Sequence, residues 1–260
     1  MAPDIDDLAA KAAVLRNLHH GPDVLLLPNA WDVASARLVT AAGFPAVATP
    51  SGAISQALGH DDNDSMPVED AFGVIARIAA GVDVPVTADV EAGYGLSARE
   101  LVEHLLRAGA AGFNLEDTEH HGPGPLVDAA AHAERLAQLK REALANSVDL
   151  VVNARVDVFR TAEVNPQSVE EALRRAHLYI EAGADCIFPI RLGDEKVIAE
   201  LVAALPVPIN ILLRPDTPSI SRLIELGVAR SSLGGGLFRT AYAAARDALT
   251  DLRTQISGAE

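Results

Sequence analysis

The chain of 260 residues reads as one (β/α)8 barrel domain spanning 1–260, with an extra helix in front of the first strand. Three observations predict this fold. Short Val/Ile/Leu-rich runs alternate eight times with Ala-rich helical stretches, as parallel strands joined by crossover helices do. The runs are apolar nearly throughout, which suits strands covered on both faces. A Gly also recurs where a helix must stop, in Ala42-Gly43-Phe44, Ala108-Gly109-Ala110, Ala182-Gly183-Ala184 and Leu226-Gly227-Val228, ahead of strands two, four, six and eight.

In chain order, a helix over about residues 5–18 precedes a first strand at 24–30. Strands two and three fall at 46–51 and 84–91, with Pro67 suited to a first helical turn between them. Ser97 and Glu100 form a capping box for the helix after strand three, and Ser168 and Glu171 repeat that pattern later. The remaining strands are expected at 112–117, 150–157, 186–190, 208–213 and 229–234. An open doubly wound sheet would place a glycine-rich turn after its first strand. Here that strand ends Leu27-Pro28-Asn29-Ala30-Trp31, without glycine, so the barrel is preferred.

Composition narrows the function classes. There are 36 acidic and 21 basic side chains, a net charge of −15, which opposes nucleic acid or anionic membrane partners. No apolar run approaches the ~18 residues needed to span a bilayer. The acidic start, Met1 to Asp7, lacks the basic and apolar regions of a secretory signal, and the one cysteine, Cys186, fits a reducing cytoplasm. Cys186 sits among apolar residues and reads as a packing group. The lysines are Lys11, Lys140 and Lys196, none beside a candidate site, which argues against Schiff-base chemistry.

Barrel enzymes place their chemistry at the carboxyl ends of strands. Those ends are acidic here: Asp61, Asp62 and Asp64 after strand two, Asp89 and Glu91 on strand three, Glu116 and Asp117 on strand four, and Asp157 with Arg155 on strand five. Residues two apart on a strand share a face, so Asp89 and Glu91 are expected to point together. Crowded carboxylates require a proton or a cation, and oxygen ligands without His or Cys select magnesium, with manganese as substitute. The competing reading makes these acids salt-bridged rim residues, Asp157 with Arg155 for example.

Asp89-Val90-Glu91-Ala92-Gly93-Tyr94-Gly95 resembles the Asp-x-Asp/Glu-x-Gly-Tyr/Phe-Gly motif of the isocitrate lyase/phosphoenolpyruvate mutase superfamily. Pro28-Asn29-Ala30-Trp31-Asp32, Ser51-Gly52, Leu58-Gly59-His60-Asp61-Asp62, Phe113-Asn114-Leu115-Glu116-Asp117 and Ala154-Arg155-Val156-Asp157 extend the resemblance in order. It implies a magnesium-dependent barrel enzyme, a homodimer or homotetramer whose eighth helix is exchanged between subunits. The metal ligand carries over to Asp89, with Asp62, Glu91 and Glu116 helping directly or through waters. The substrate is implied to be a small 2-oxocarboxylate, its carboxylate received by the backbone of Ser51 and Gly52 and by the Arg155 side chain. Trp31, Asp62, Tyr94 and Asn210 are further substrate-binding candidates.

The sequence departs from two branches of that family. The lyase loop Lys-Lys/Arg-Cys-Gly-His after strand four is replaced by Thr118-Glu119-His120-His121-Gly122-Pro123-Gly124, and the lysine of the phosphonate branch is missing as well. Strand six ends Pro189-Ile190-Arg191 where relatives place His or Glu near position 190. His120 and His121 are the nearest replacements for the missing acid/base group, because imidazole titrates near neutrality. Gly234-Gly235-Gly236, after strand eight, reads as a tight turn. The expected activity is a metal-dependent carbon-carbon lyase or decarboxylase working through a pyruvate-type enolate. Phosphonopyruvate-type carbon-phosphorus chemistry and non-catalytic 2-oxo acid binding are the alternatives.

Overall fold

The computed structural model describes residues 3–120 and 125–257. The elements run α1 (Ile5–Leu18), β1 (Leu25–Leu27), α2 (Val33–Ala41), β2 (Val47–Ala48), α3 (Ser51–Leu58), α4 (Val68–Ala80), β3 (Val86–Asp89), α5 (Ala98–Ala108), β4 (Gly112–Glu116), α6 (Ala129–Ala145), β5 (Val151–Val156), α7 (Val158–Thr161), α8 (Pro166–Glu181), β6 (Cys186–Pro189), α9 (Glu195–Ala204), β7 (Asn210–Leu212), α10 (Ile220–Glu225), β8 (Arg230–Ser232) and α11 (Gly236–Ser257). All ladders are parallel. One curled sheet has the order β2-β3-β4-β5-β6 and a second the order β1-β8-β7. Isolated bridges, Asn29 to Ala48 and Ile187 to Ile209, connect the two sheets at both seams.

The strands fall where the apolar runs predict, but they are shorter, and the shortening matters for the site. Pro50 caps α3, so Ser51 opens a helix instead of ending β2. β3 stops at Asp89, and Glu91 turns away with a left-handed φ of 50°. The shared face expected for Asp89 and Glu91 is therefore broken by the turn between them.

Helix stops follow the glycine signal: Gly43, Gly109, Gly183 and Gly227 all take positive φ, where a Cβ would be disfavoured. The Ser97 to Glu100 capping box is present in both directions. The second box is not the one expected. Pro166 starts α8 and Asn165 caps it, so Ser168 is the third helical residue, bonded back to Asn165. Glu171 instead forks onto Arg174 and Arg175. Proline fits the first turn because its missing N–H is unpaired there anyway.

α8 is bolted to the strand ends by buried ion pairing. Asp117 accepts from the Tyr179 hydroxyl at 2.6 Å, from Arg175 at 2.9 Å and from the Asp157 N–H at 2.8 Å. At the other end of the strands α1 contributes His19, whose Nδ1 bonds the Leu15 carbonyl at 2.7 Å and whose Nε2 faces Arg230 at 3.2 Å. Nδ1 must donate to the carbonyl, so Nε2 accepts from the guanidinium. Burial, with Arg230 acting in the same direction, pushes the His19 pKa down to about 3. An unfolded histidine binds its proton near pH 6.5 and the folded one does not, so this site costs stability as pH falls from about 6.5 towards 3. Wild type should lose about 1.4 kcal/mol more per pH unit below 6 than His19→Gln, measured by urea unfolding. Equal slopes would contradict a neutral His19.

Candidate active site

The carboxyl ends of the strands surround a cavity of about 420 Å3, whose walls include Ser51, Gly52, Asp62, Asp89, Asn114 and Arg155. Asp89 is fixed at the tip of β3. Its N–H donates to Thr49 Oγ1 at 3.0 Å, and its Oδ2 accepts from the Ser51 N–H at 3.2 Å and the Ser51 hydroxyl at 2.9 Å. Gly52 leaves room beside it for the Asp62 carboxylate, which a Cβ there, 2.9 Å from Asp62 Oδ2, would displace. Burial raises the Asp89 pKa, while Arg155 and the Ser51 bonds oppose the rise.

Behind this wall lies a second acid layer. Asp64 clamps the turn after β3, its carboxylate accepting from the N–H groups of Tyr94 at 3.0 Å and Ala92 at 3.3 Å, while its own N–H donates to Glu91 Oε2. Asn63, Asp64, Glu91 and Tyr94 all hold positive φ without being glycine. Such strain persists where the surroundings over-determine it, commonly at functional sites. Burial pushes the Glu91 carboxyl up to about 8, and the charges of Asp62, Asp89 and Asp64 push the same way. Among the described residues, Glu91 Oε1 and the Tyr94 hydroxyl are buried without a hydrogen-bond partner.

Arg155 organises the strand-five side. Its Nε and one terminal nitrogen fork onto Asp157 at 2.8 and 2.6 Å, and the other terminal nitrogen pairs with Glu116. Burial alone would weaken its hold on the proton, and Glu116 and Asp157 more than reverse that. Of the five guanidinium N–H groups, these contacts use three, leaving one on each terminal nitrogen. The reading of Asp157 as a partner of Arg155 is met, and Asp117 and Asp157 serve the framework. Glu116 also bonds His120 Nε2 at 2.7 Å, and that bond raises the His120 pKa. His121 lies outside the described residues.

Other expected site residues are placed differently. Trp31 stands one layer behind the cavity, edge-on to Phe238 at 5.1 Å, and Phe238 forms the wall. Tyr94 packs against Phe72 at 6.1 Å. Asn210 is buried among the strands, its amide 3.4 Å from Ser232 Oγ. Cys186 is buried, which pushes its thiol up to about 12 and makes it inert as a nucleophile. Gly234 has φ 51°, and its N–H donates to Asn29 Oδ1 at 2.8 Å, as a tight turn would.

Several polar wall residues were not singled out as site candidates from the sequence, Asn114 and Arg191 among them. Asn114 lines the cavity, and its Oδ1 accepts from Asn153 at 2.8 Å and Arg230 at 3.1 Å, so its amide nitrogen turns away from both donors. It lies two residues before Glu116, and strand periodicity alone could have found it. Arg191, two residues beyond β6, is another.

The donor set suits magnesium of the kind that keeps most of its waters. Among the described residues no three His, Cys, Asp or Glu side chains group as an ion cage. Asp89 and Asp62 nevertheless present carboxylates to the cavity, and the orphaned Glu91 Oε1 lies in the acid layer behind them. One or two direct carboxylates with outer oxygens on waters is the usual magnesium arrangement.

A sequence model of phosphoenolpyruvate phosphomutase matches residues 15–253. The chain belongs to the phosphoenolpyruvate phosphomutase family. Within this family and its isocitrate lyase relatives, the phosphoenolpyruvate phosphomutase of Streptomyces hygroscopicus is 30% identical over 257 residues, 92% of this chain and 79% of that protein. A 2-methylisocitrate lyase of Aeropyrum pernix is 29% identical over 223 residues, covering 83% and 70%. Among solved structures, a Burkholderia cenocepacia J2315 protein superposes with TM-score 0.85 at 37% identity, covering 95% of this chain and 99% of its own. An oxaloacetate acetylhydrolase in complex with the product oxalate gives TM-score 0.84 at 25% identity, covering 95% and 86%. The phosphoenolpyruvate phosphomutase family thus includes enzymes that make or break bonds in small oxoacids, and no helix among the described residues is long and apolar enough to cross a membrane.

Proposed function

We propose that this protein is a magnesium-dependent lyase or decarboxylase that cleaves a carbon-carbon bond in a 2-oxocarboxylate or its adduct. The observation that carries the reading is the single cavity onto which Asp89, Asp62 and Arg155 all open. Asp89 would hold the metal directly, with Asp62, Glu91 and Glu116 acting directly or through waters. When bound, magnesium supplies a Lewis acid for the carboxylate and 2-oxo oxygens. The chain does the rest. The two unused N–H groups of Arg155 receive the substrate carboxylate in a planar fork. The first turn of α3, at Ser51 and Gly52, adds the positive end of a helix dipole. As the C3–C4 bond of the 2-oxo acid breaks, its electron pair becomes the C2–C3 double bond and the carbonyl pair moves onto the 2-oxo oxygen, forming an enolate, while C4 departs as carbon dioxide or as a carbonyl compound. His120, held by Glu116, returns a proton to the carbon. The raised pKa of His120 suits a donor better than a base.

The same reading extends to architecture. The bridges at both seams support a closed eight-stranded barrel. Tyr242, Leu249, Leu252 and Ile256 on α11 are exposed at 54%, 66%, 56% and 66%, an apolar face suited to a neighbouring subunit in a helix-exchanged homodimer or homotetramer.

Phosphonopyruvate chemistry is the second reading, favoured by the Streptomyces hygroscopicus relative. A panel of oxaloacetate, methylisocitrate and phosphonopyruvate, assayed with magnesium for pyruvate, oxalate and phosphoenolpyruvate, separates the two. Chelator-sensitive pyruvate release is expected, and oxalate release would mean hydrolysis between C2 and C3 in place of the enolate step. Turnover of phosphonopyruvate alone would contradict the lyase reading, and tight 2-oxo acid binding without turnover would mark a binding protein.

A further inference from the structure

A smaller cavity of about 280 Å3 opens beside the first, sharing Asp62, Arg155, Arg191 and Arg239 as walls and adding Arg160 and Arg214. Five arginines thus face one small space in a chain of net charge −15. Three of them have an acidic neighbour, although Arg160 Nε makes no hydrogen bond among the described residues. Arg155 is engaged by Asp157 and Glu116, Arg160 Nε stands 3.2 Å from Asp157, and Arg214 forks onto Asp216. Arg191 and Arg239 have no ion pair among the described residues, and both are exposed to the cavity mouth.

Arg191 is also held in an unfavourable conformation. Its φ is 64°, the left-handed region that a side chain with a Cβ avoids. The Arg214 guanidinium donates to the Arg191 carbonyl at 3.1 Å while its Nε donates to Asp216 at 2.9 Å, so a neighbouring loop fixes the turn. Two different loops therefore cooperate to keep an unpaired guanidinium at the shared wall.

We propose that Arg191, supported by Arg239, forms a subsite for a second anionic group, the carboxylate at the far end of a 2-oxo dicarboxylic acid. This rests on the reading of the larger cavity as a 2-oxo acid site, where the first carboxylate meets Arg155 and the start of α3. A guanidinium fork matches a carboxylate or a phosphonate. Asp62, the one acid on the walls of the smaller cavity among the described residues, opposes a doubly charged group there and favours the singly charged carboxylate.

Calorimetric titration in magnesium buffer with oxaloacetate and 2-oxoglutarate against pyruvate and 2-oxobutyrate tests this. Wild type should bind the dicarboxylates about 10- to 100-fold more tightly. Arg191→Gln should abolish most of that ratio by weakening the dicarboxylates alone, and Arg191→Lys, which keeps the charge and loses the fork, should restore part of it. The lysine variant carries the same test if glutamine disturbs the turn. An unchanged ratio in both variants overturns the subsite while leaving the 2-oxo acid reading standing. Phosphonopyruvate binding more tightly than oxaloacetate, and weakened by the same variants, overturns the choice of a carboxylate. Failure of all four acids to bind wild type overturns the 2-oxo acid reading and the subsite with it.

Discussion

Replacing Asp89 with asparagine should lower magnesium-dependent turnover of the preferred 2-oxo acid by at least about 100- to 1000-fold, the scale expected when a group stabilising developing charge is removed. The fold should survive. Asparagine Oδ1 can still accept from the Ser51 N–H and hydroxyl, which bond Asp89 Oδ2 at 3.2 and 2.9 Å. Asparagine also removes a buried negative charge whose desolvation outweighs the attraction of Arg155, with Asp62 repelling it further, in the metal-free protein. The melting temperature without metal should therefore hold or rise. Retained turnover, or a collapse of stability with the turnover, would contradict the role given to Asp89.

Arg155→Met should be the most destabilising substitution at the cavity. It leaves Glu116, 5% exposed, and Asp157, fully buried, without the cation that faces both. Breaking a buried pair from one side typically costs about 3–5 kcal/mol, because the remaining charge has neither water nor a partner. Arg160 stands 3.2 Å from Asp157 and can compensate part of that loss, whereas among the described residues Glu116 retains His120 alone. Urea unfolding in magnesium-free buffer reads the effect directly. A loss below about 1 kcal/mol would mean that Arg155 is a solvated rim residue, since exposed pairs contribute no more than that.

The fold was legible because its signals are local. Apolar runs, capping residues and helix-stopping glycines each act within a few residues, and strands, Ser97 cap and Gly43, Gly109, Gly183 and Gly227 stops follow from them. Where local signals compete the sequence is ambiguous: Asn165-Pro166 displaces Ser168 as the cap because it offers both a cap oxygen and a residue suited to the first turn.

At the site, residue type and strand-end position identified Asp89, Asp62 and Arg155 as cavity residues. They could not separate acids that face the cavity from acids that hold the framework. Asp117 is committed by Arg175 and Tyr179, 58 and 62 residues away, partners that no local pattern links to it. Glu91 was displaced from the expected face because the chain takes a positive φ immediately after β3, at a residue that is not glycine. Arg191 was hidden for the same reason: its position depends on a turn stabilised by Arg214, 23 residues on. Long-range pairing and strained turns, then, are what sequence periodicity leaves unread.

If this cavity binds a 2-oxo acid through a metal held at Asp89, binding must depend on that metal. Calorimetric titration of the wild-type protein with oxaloacetate, in magnesium and again in excess chelator, tests it most directly. Binding should be saturable in magnesium and disappear with chelator and with Asp89→Asn. Equal affinity in both buffers, unaffected by the substitution, would contradict it.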